Sequence, residues 1–396
     1  MSSLQHTSVG QNGCLSLFVF IDAFGWELVQ HYPFLDDLLP VKAPLGTQFG
    51  YSSTCAPTIL TGKLPREHGH FTFYARANGK TPFRYYRALG LLPKFVTRRG
   101  RIRAKMSKYM QRLHGITGYF QLYNMPFEHL SQFDYTEKRD IFEPGGINGG
   151  CPTIFDYLRE NNVPAHWSDW HRSEEENLAA ADYAIDQGDI QFAYIYLAAM
   201  DGILHQEGKY GDGVRRKVAW YENELRQIMR TAEKRYRDVR LFVFSDHGMT
   251  PTIETVPLMD RINALGLQFG RDYLAAYDST MARFWFDTPE ARDAITESLN
   301  EEHHGHILTD AELTAWGCDF PDNRYGDLIY LMDPGHLLCP SFMGEKPLAG
   351  MHGYHPEDKD SVAAFMTNAE DAETPGQLVD MYGLMQGKAI PAGRRV

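Results

Sequence analysis

The chain has 396 residues, 43% of them hydrophobic and 13% aromatic, which supports a large apolar core and excludes disorder. A formal charge of −12 argues against a general nucleic-acid binder, and no specific nucleic-acid binding is expected. There is no 18-residue apolar run, residues 1–14 lack the layout of a secretory signal, and five scattered cysteines show no C-x-x-C spacing; reduced thiols and a cytoplasmic location are expected.

In chain order, the apolar run at residues 15–21 predicts a buried parallel strand ending at Asp22. Ser52, Ser53 and Thr54 form a hydroxyl-rich turn leading into a helix that ends near Gly62. Helical patterns follow at 153–161 and 174–187, then a second strand at 192–197 shortly before Asp201. A long helix from 214 to about 237 precedes a third strand, 241–244, which runs into Ser245, Asp246 and His247. This alternation predicts an α/β fold with a mainly parallel central sheet and helices on both faces.

Two stretches break the alternation. Residues 71–145 carry short helical patterns and many aromatics, and residues 255–345 carry strand-like pieces at 282–286 and 327–331 with a helix near 289–300. We read 1–396 as one catalytic domain, with a basic cap insertion at 71–145 and a second α+β insertion at 255–345. Between Glu67 and Glu128 there are twelve basic residues and no acidic one, so that segment contributes +12 and the rest of the chain carries −24. A solvated positive cap, a lid steering an anionic substrate, and peripheral contact with a membrane or polyanion all fit this segment.

In parallel sheets ligands gather at the carboxyl ends of the strands. Three strands here each deliver an aspartate there: Asp22, Asp201 and Asp246. His205 lies four residues after Asp201, on the same helical face; His247 adjoins Asp246; His352 lies between glycines in Gly-Met-His-Gly-Tyr. This mixed oxygen and nitrogen donor set suits zinc, with manganese as the harder alternative. Two such ions can activate a hydroxyl and clamp both oxygens of an in-line phosphoryl displacement, with a serine or threonine as nucleophile. An isolated strand-end aspartate is usually a turn or cap residue, but several coincident ones point to a metallohydrolase.

The ordered motifs resemble the alkaline phosphatase superfamily, most closely its type I phosphodiesterase/nucleotide pyrophosphatase branch. They are Phe-Ile-Asp22-Ala-Phe-Gly, Thr58-Ile-Leu-Thr-Gly-Lys-Leu-Pro-Arg-Glu-His-Gly69, Asp201-Gly-Ile-Leu-His205, Phe-Ser-Asp246-His-Gly-Met249, Gly-Met-His352-Gly-Tyr354 and Leu378-Val-Asp-Met-Tyr-Gly-Leu-Met385. The resemblance implies an alkaline phosphatase-like three-layer sandwich and two divalent metals, typically zinc. One metal would be held by Asp22, Asp246, His247 and the nucleophile's hydroxyl, the other by Asp201, His205 and His352. An ungapped count places the nucleophile on Ser52, where the branch usually has threonine; Ser53 and Thr54 remain alternatives. The implied activity is hydrolysis of an anionic phosphate ester, a diester in this branch, through a covalent phosphoserine. A phosphomonoesterase or phosphomutase of the same superfamily is the alternative.

The branch's usual phosphate-binding asparagine is missing after His68-Gly69, and His70 or Thr72 is expected to replace it. Cys55 lacks the Pro-x-Arg context of a sulfatase nucleophile. The run His303-His-Gly-His306 is read as a polar turn rather than a metal site.

Overall fold

The computed structural model describes residues 12–79, 81–91, 99–371 and 373–389. Its central sheet has six strands in the order Val41–Leu45, Ala363–Thr367, Tyr236–Phe244, Asn12–Ile21, Phe192–Leu197, Ala165–Trp167. The last four are mutually parallel, while Ala363–Thr367 runs antiparallel to both of its neighbours.

Two covered faces explain why the strands read as continuous apolar runs. Leu15, Leu17, Val19, Ile21, Leu241 and Val243 point into an aliphatic layer closed by the helices Glu174–Gln187 and Asp212–Arg235. The alternate residues Phe18, Phe20, Phe192, Tyr194, Phe242 and Phe244 form an aromatic layer under Ser52–Thr61, Ile154–Glu160 and Met381–Ala389. Phe18 stacks 4.5 Å from Phe242 and 5.2 Å from Phe192, and Phe20 lies 5.4 Å from Phe244. Burying each such side chain contributes roughly 1.5–3 kcal/mol, so slipping a strand by one residue would exchange the layers at great cost. The register is therefore fixed. Phe20 lies beside Phe244 and Ile21 beside Leu197, which brings Asp22, Asp201 and Asp246 to one edge.

Local signals set the helix bounds. Ser173 and Glu176 cap the start of Glu174–Gln187 reciprocally, and Gly188, in the left-handed conformation, ends it.

Beyond the sheet, Tyr273–Tyr277, Met281–Phe286, Leu328–Met332 and Gly305–Ile307 make a four-stranded antiparallel sheet. The helix Pro289–Asn300 packs on it, with Ala291, Ile295 and Leu299 turned into the same core. That core is shared: Tyr273, Phe284 and Trp285 pack with Phe83, Met110, Phe120 and Phe133 from the other interrupting stretch. Arg283 joins the two, bonding Asp278 at 2.8 Å and the Tyr74 carbonyl at 2.8 Å.

The basic stretch contains the helix Gly100–His114. Arg101, Lys105, Lys108 and Arg112 are exposed on it, but Arg103 is buried, donating to the carbonyls of Tyr123 and Met125 and lying over the Phe127 ring. Tyr85 and Leu91, 82% and 89% exposed, lie in the segment that a Tyr86–His114 hydrogen bond ties to this helix. Lys80, Leu92, Lys94, Phe95 and Arg98 fall outside the described residues. The five cysteines are free thiols, and no described helix is long and apolar enough to cross a membrane.

Candidate active site

The structure brings together all seven residues expected to hold or flank the metals. Asp22 directly follows the strand Asn12–Ile21, its Oδ2 accepting from the Tyr196 hydroxyl at 2.8 Å. Asp246 is fully buried, and the amides of Ala23 and His247 both bind its Oδ1. Asp201 and His205 share one face of the helix Ala199–Glu207, with His205 Nε2 3.2 Å from Asp201 Oδ1. His352 reaches the same oxygen from another loop, at 3.4 Å. His247 Nε2 lies 3.0 Å from Ser52 Oγ, 3.2 Å from Asp246 Oδ2 and 3.7 Å from Asp22 Oδ1.

Backbone geometry makes this convergence fit. Glycines at 25 and 248 let the Asp22 and His247 loops cross, since a Cβ on Gly25 would collide with the Gly248 backbone. Gly353 adopts φ +88°, and a Cβ there would sit 2.7 Å from the Tyr51 ring. That glycine lets His352 pass beneath Tyr51.

Several atoms in the cluster are left without hydrogen-bond partners although buried: Asp22 Oδ1, Asp201 Oδ1, Asp246 Oδ2 and His352 Nδ1. The three oxygens are the ones facing imidazole nitrogens at 3.2–3.7 Å. Donors around a tetrahedral zinc, with bonds of about 2.0–2.2 Å, stand about 3.3–3.6 Å apart. The other ring nitrogens are occupied: His205 Nδ1 pairs with the Gly350 carbonyl and His247 Nδ1 with that of Gly248, each at 2.9 Å, which frees Nε2 to ligate. Asp22, Asp201 and His247 also converge, so the two halves of the set adjoin.

Electrostatics agree. Burial, with Asp246 and Asp201 nearby, pushes the Asp22 carboxyl well above its usual range, and burial lifts Asp246 to about 7. Asp201 is also desolvated, but His205 and His352 outweigh this and hold it low. Three carboxylates packed together require positive charge, and no lysine or arginine is among the described residues lining the cavity beside them. Divalent cations fit that deficit.

The hydroxyl trio separates cleanly. Ser52 is the first residue of the helix Ser52–Thr61 and is the only one of the three near His247; Ser53 and Thr54 both donate to the Phe71 carbonyl. Cys55 is buried, its thiol turned to the Gln48 carbonyl. Thr72 lines the cavity, although its hydroxyl donates to the Tyr74 carbonyl. His70 does not match its expected place. It is 1% exposed, its Nε2 accepts from the Asn148 amide, and it is not among the cavity's lining residues, because the turn after Gly69 directs the ring into the protein.

The cavity holds about 460 Å³ and is walled by Phe73, Tyr119, Tyr123, Phe142, Trp170 and Tyr196, with Glu137 beside them. Sequence reasoning did not single these out as site residues. Tyr196 lies in a strand read from the sequence, but only the strand register sets it opposite Phe20 and so next to Asp22.

A strand edge gathering three aspartates, three histidines and a helix-leading serine is a donor set able to hold divalent metals beside a hydroxyl, on an α/β fold with a mostly parallel central sheet. The chain belongs to the type I phosphodiesterase / nucleotide pyrophosphatase family, a two-metal enzyme family whose pattern matches residues 16–355. Its structure is similar to murine ectonucleotide pyrophosphatase / phosphodiesterase 5, with a TM-score of 0.68 and 15% identity over 96% of this chain and 95% of that one. The human protein of the same name gives 0.67 and 14% over the same shares, and an inactive variant of the murine protein in complex with AMP gives 0.67 and 15%. No curated protein sequence matches the chain.

Proposed function

We propose that this chain hydrolyses nucleotide-type phosphodiesters through a phosphoserine on Ser52, with Asp22, Asp246 and His247 holding one divalent metal and Asp201, His205 and His352 a second. The observation that carries the reading is the set of partnerless carboxylate oxygens facing imidazole nitrogens around Ser52 Oγ. The donors suit zinc, with manganese as the harder alternative. Bound cations would neutralise the aspartates and offset the negative charge that builds on the reacting oxygens.

The chain's own groups do the positioning. Ser52 begins a ten-residue helix, so the free amides and positive dipole end of its first turn point toward the phosphoryl group that Oγ would carry. Oγ gives up its proton to solvent as it attacks phosphorus in line, the Oγ–P bond forms, and the ester bond to the leaving alcohol or phosphate breaks, the leaving oxygen taking a proton from solvent where it needs one. Water then cleaves the Oγ–P bond and releases a phosphomonoester. Tyr196 fixes Asp22, and the Ala23 and His247 amides fix Asp246, so the cluster needs little rearrangement when it is loaded.

Two features favour a diester. The aromatic walls can receive an organic group such as a nucleobase by stacking, and there is no lysine or arginine among the described lining residues to hold a monoester's second charge. The AMP bound in the murine neighbour agrees with a nucleotide in such a site. The test is a panel of nucleotide diesters and matching monoesters, assayed with zinc and with manganese. We expect nucleoside monophosphate from the diesters and little inorganic phosphate from the monoesters. Faster phosphate release from monoesters would replace this reading with a phosphomonoesterase.

A further inference from the structure

The histidine run at 303–306, expected to be a polar turn, does not stay local in the fold. His306 pairs with Glu312 and His303 is exposed, but His304 is drawn against His336, their ring centres 4.6 Å apart. His336 in turn lies opposite Glu254 in a two-stranded parallel sheet made by Glu254–Val256 and His336–Leu338. Donor atoms of Glu254, His304 and His336 all lie within 4.8 Å of one another.

We propose that Glu254, His304 and His336 form a third divalent-metal site, of zinc type, separate from the pair at the sheet edge. Two histidines and one glutamate are a sufficient protein ligand set for zinc, leaving a fourth position for water. Donors already within 4.8 Å of one another need only a small movement to reach the spacing of about 3.3–3.6 Å set by zinc bonds of about 2.0–2.2 Å, and Glu254 is exposed.

Two further observations point the same way. Glu302 Oε1 accepts from His304 Nδ1 at 2.7 Å and from the His304 amide at 3.2 Å. That contact fixes the tautomer with Nε2 free, as a carboxylate behind a metal-binding histidine does. Arg261 lies 3.6 Å from the same glutamate and holds it in place. His336 Nδ1 is buried with no hydrogen-bond partner, which costs free energy that a bound cation would remove.

The position gives such an ion structural leverage. Glu254 follows the His247 loop and its backbone amide donates to the Gly335 carbonyl, while the hydroxyl of Tyr354, just past His352, donates to the His336 carbonyl. An ion here would cross-link the segments following His247 and preceding His352.

Metal-stripped protein should be titrated with zinc and with cobalt, and bound metal counted after gel filtration. The wild type should retain one equivalent more than a His304→Ala/His336→Ala variant, and its zinc-dependent rise in Tm should exceed the variant's. Glu254→Gln, at an exposed position, should fold normally and lose most of the same equivalent. Glu302→Gln should weaken it by about 10- to 100-fold, as loss of an orienting partner does. The Asp201 and His352 set should stay loaded in all three. Equal metal content and an equal zinc-dependent Tm in the wild type and every variant would overturn the proposal, whatever the catalytic assays show.

Discussion

Replacing Ser52 by alanine separates the chemistry from the fold more sharply than any other change. Its Oγ makes one hydrogen bond, 3.0 Å from His247 Nε2, in a half-buried position. Losing that bond costs about 1 kcal/mol. At an unfolding entropy of about 2.1 cal/mol/K per residue over 396 residues, Tm falls by only about 1 °C. The six carboxylate and imidazole residues are untouched, so metal content should stay near the wild-type value. Turnover, by contrast, loses its nucleophile and should fall about 10⁴-fold or more, some 5.5 kcal/mol of activation free energy. Ser53→Ala and Thr54→Ser should each cost a few-fold at most, because those hydroxyls donate to the Phe71 carbonyl, away from the ligands. Acid quenching during turnover, followed by peptide mapping, should find phosphate on Ser52. Phosphate on Thr54, or a Ser52→Ala enzyme within tenfold of wild type, would refute the assignment.

Asp201→Asn and His352→Ala should each lower bound divalent metal by about one ion per chain in elemental analysis, and wild-type content in both would break the proposed ligand sets. If exposed basic residues of the 71–145 stretch steer substrate, kcat/KM for an anionic diester should fall with ionic strength, screening being effective beyond roughly 8 Å at physiological salt. Neutralising Arg99, Arg101, Lys105 and Lys108 should flatten that slope, and an unchanged slope would leave a solvated cap; Arg103, buried on two carbonyls, belongs to the fold rather than to this set. Glu137, buried in the cavity wall, has its carboxyl raised by burial to about 8. Its folded pKa thus exceeds its unfolded value near 4.5, so the folded state loses stability as pH rises between them. Glu137→Gln should leave Tm unchanged near pH 5 and raise it at pH 9, by an amount corresponding to a few kcal/mol at most. Parallel Tm–pH curves for the two proteins would show that Glu137 ionises freely.

Three inner strands of the central sheet were legible in the chain because their signals are local. A strand covered on both faces is apolar at nearly every position, so residues 15–21, 192–197 and 241–244 announced themselves, and the aspartates after them marked the edge. The spacing of Asp201 and His205 likewise carried its meaning within one helical turn. Local pattern did not separate Ser52, Ser53 and Thr54, all hydroxyls at one helix start, and only the ungapped count from the family motif favoured Ser52. Which one faces His247 depends on how that helix docks on the sheet.

Other features rest on contacts between residues far apart in the chain, and no spacing encodes those. The stretches at 71–145 and 255–345 read as two caps, yet they bury one core, since Phe83, Phe120 and Phe133 find their partners in Phe284 and Trp285. His70 had the right chemistry and proximity in sequence for phosphate, but a turn buried it against Asn148. His304 looked inert until the fold set it beside His336 and Glu254, from segments some thirty and fifty residues away. The sequence by itself determined three inner strands, their carboxyl edge and the candidate ligand types, because period and strand ends are properties of neighbouring residues; the strands Val41–Leu45, Ala165–Trp167 and Ala363–Thr367 were not legible in it. Only the tertiary structure showed which hydroxyl faces His247, what walls the cavity and where the remote histidines meet, because each depends on the packing that brings distant segments together.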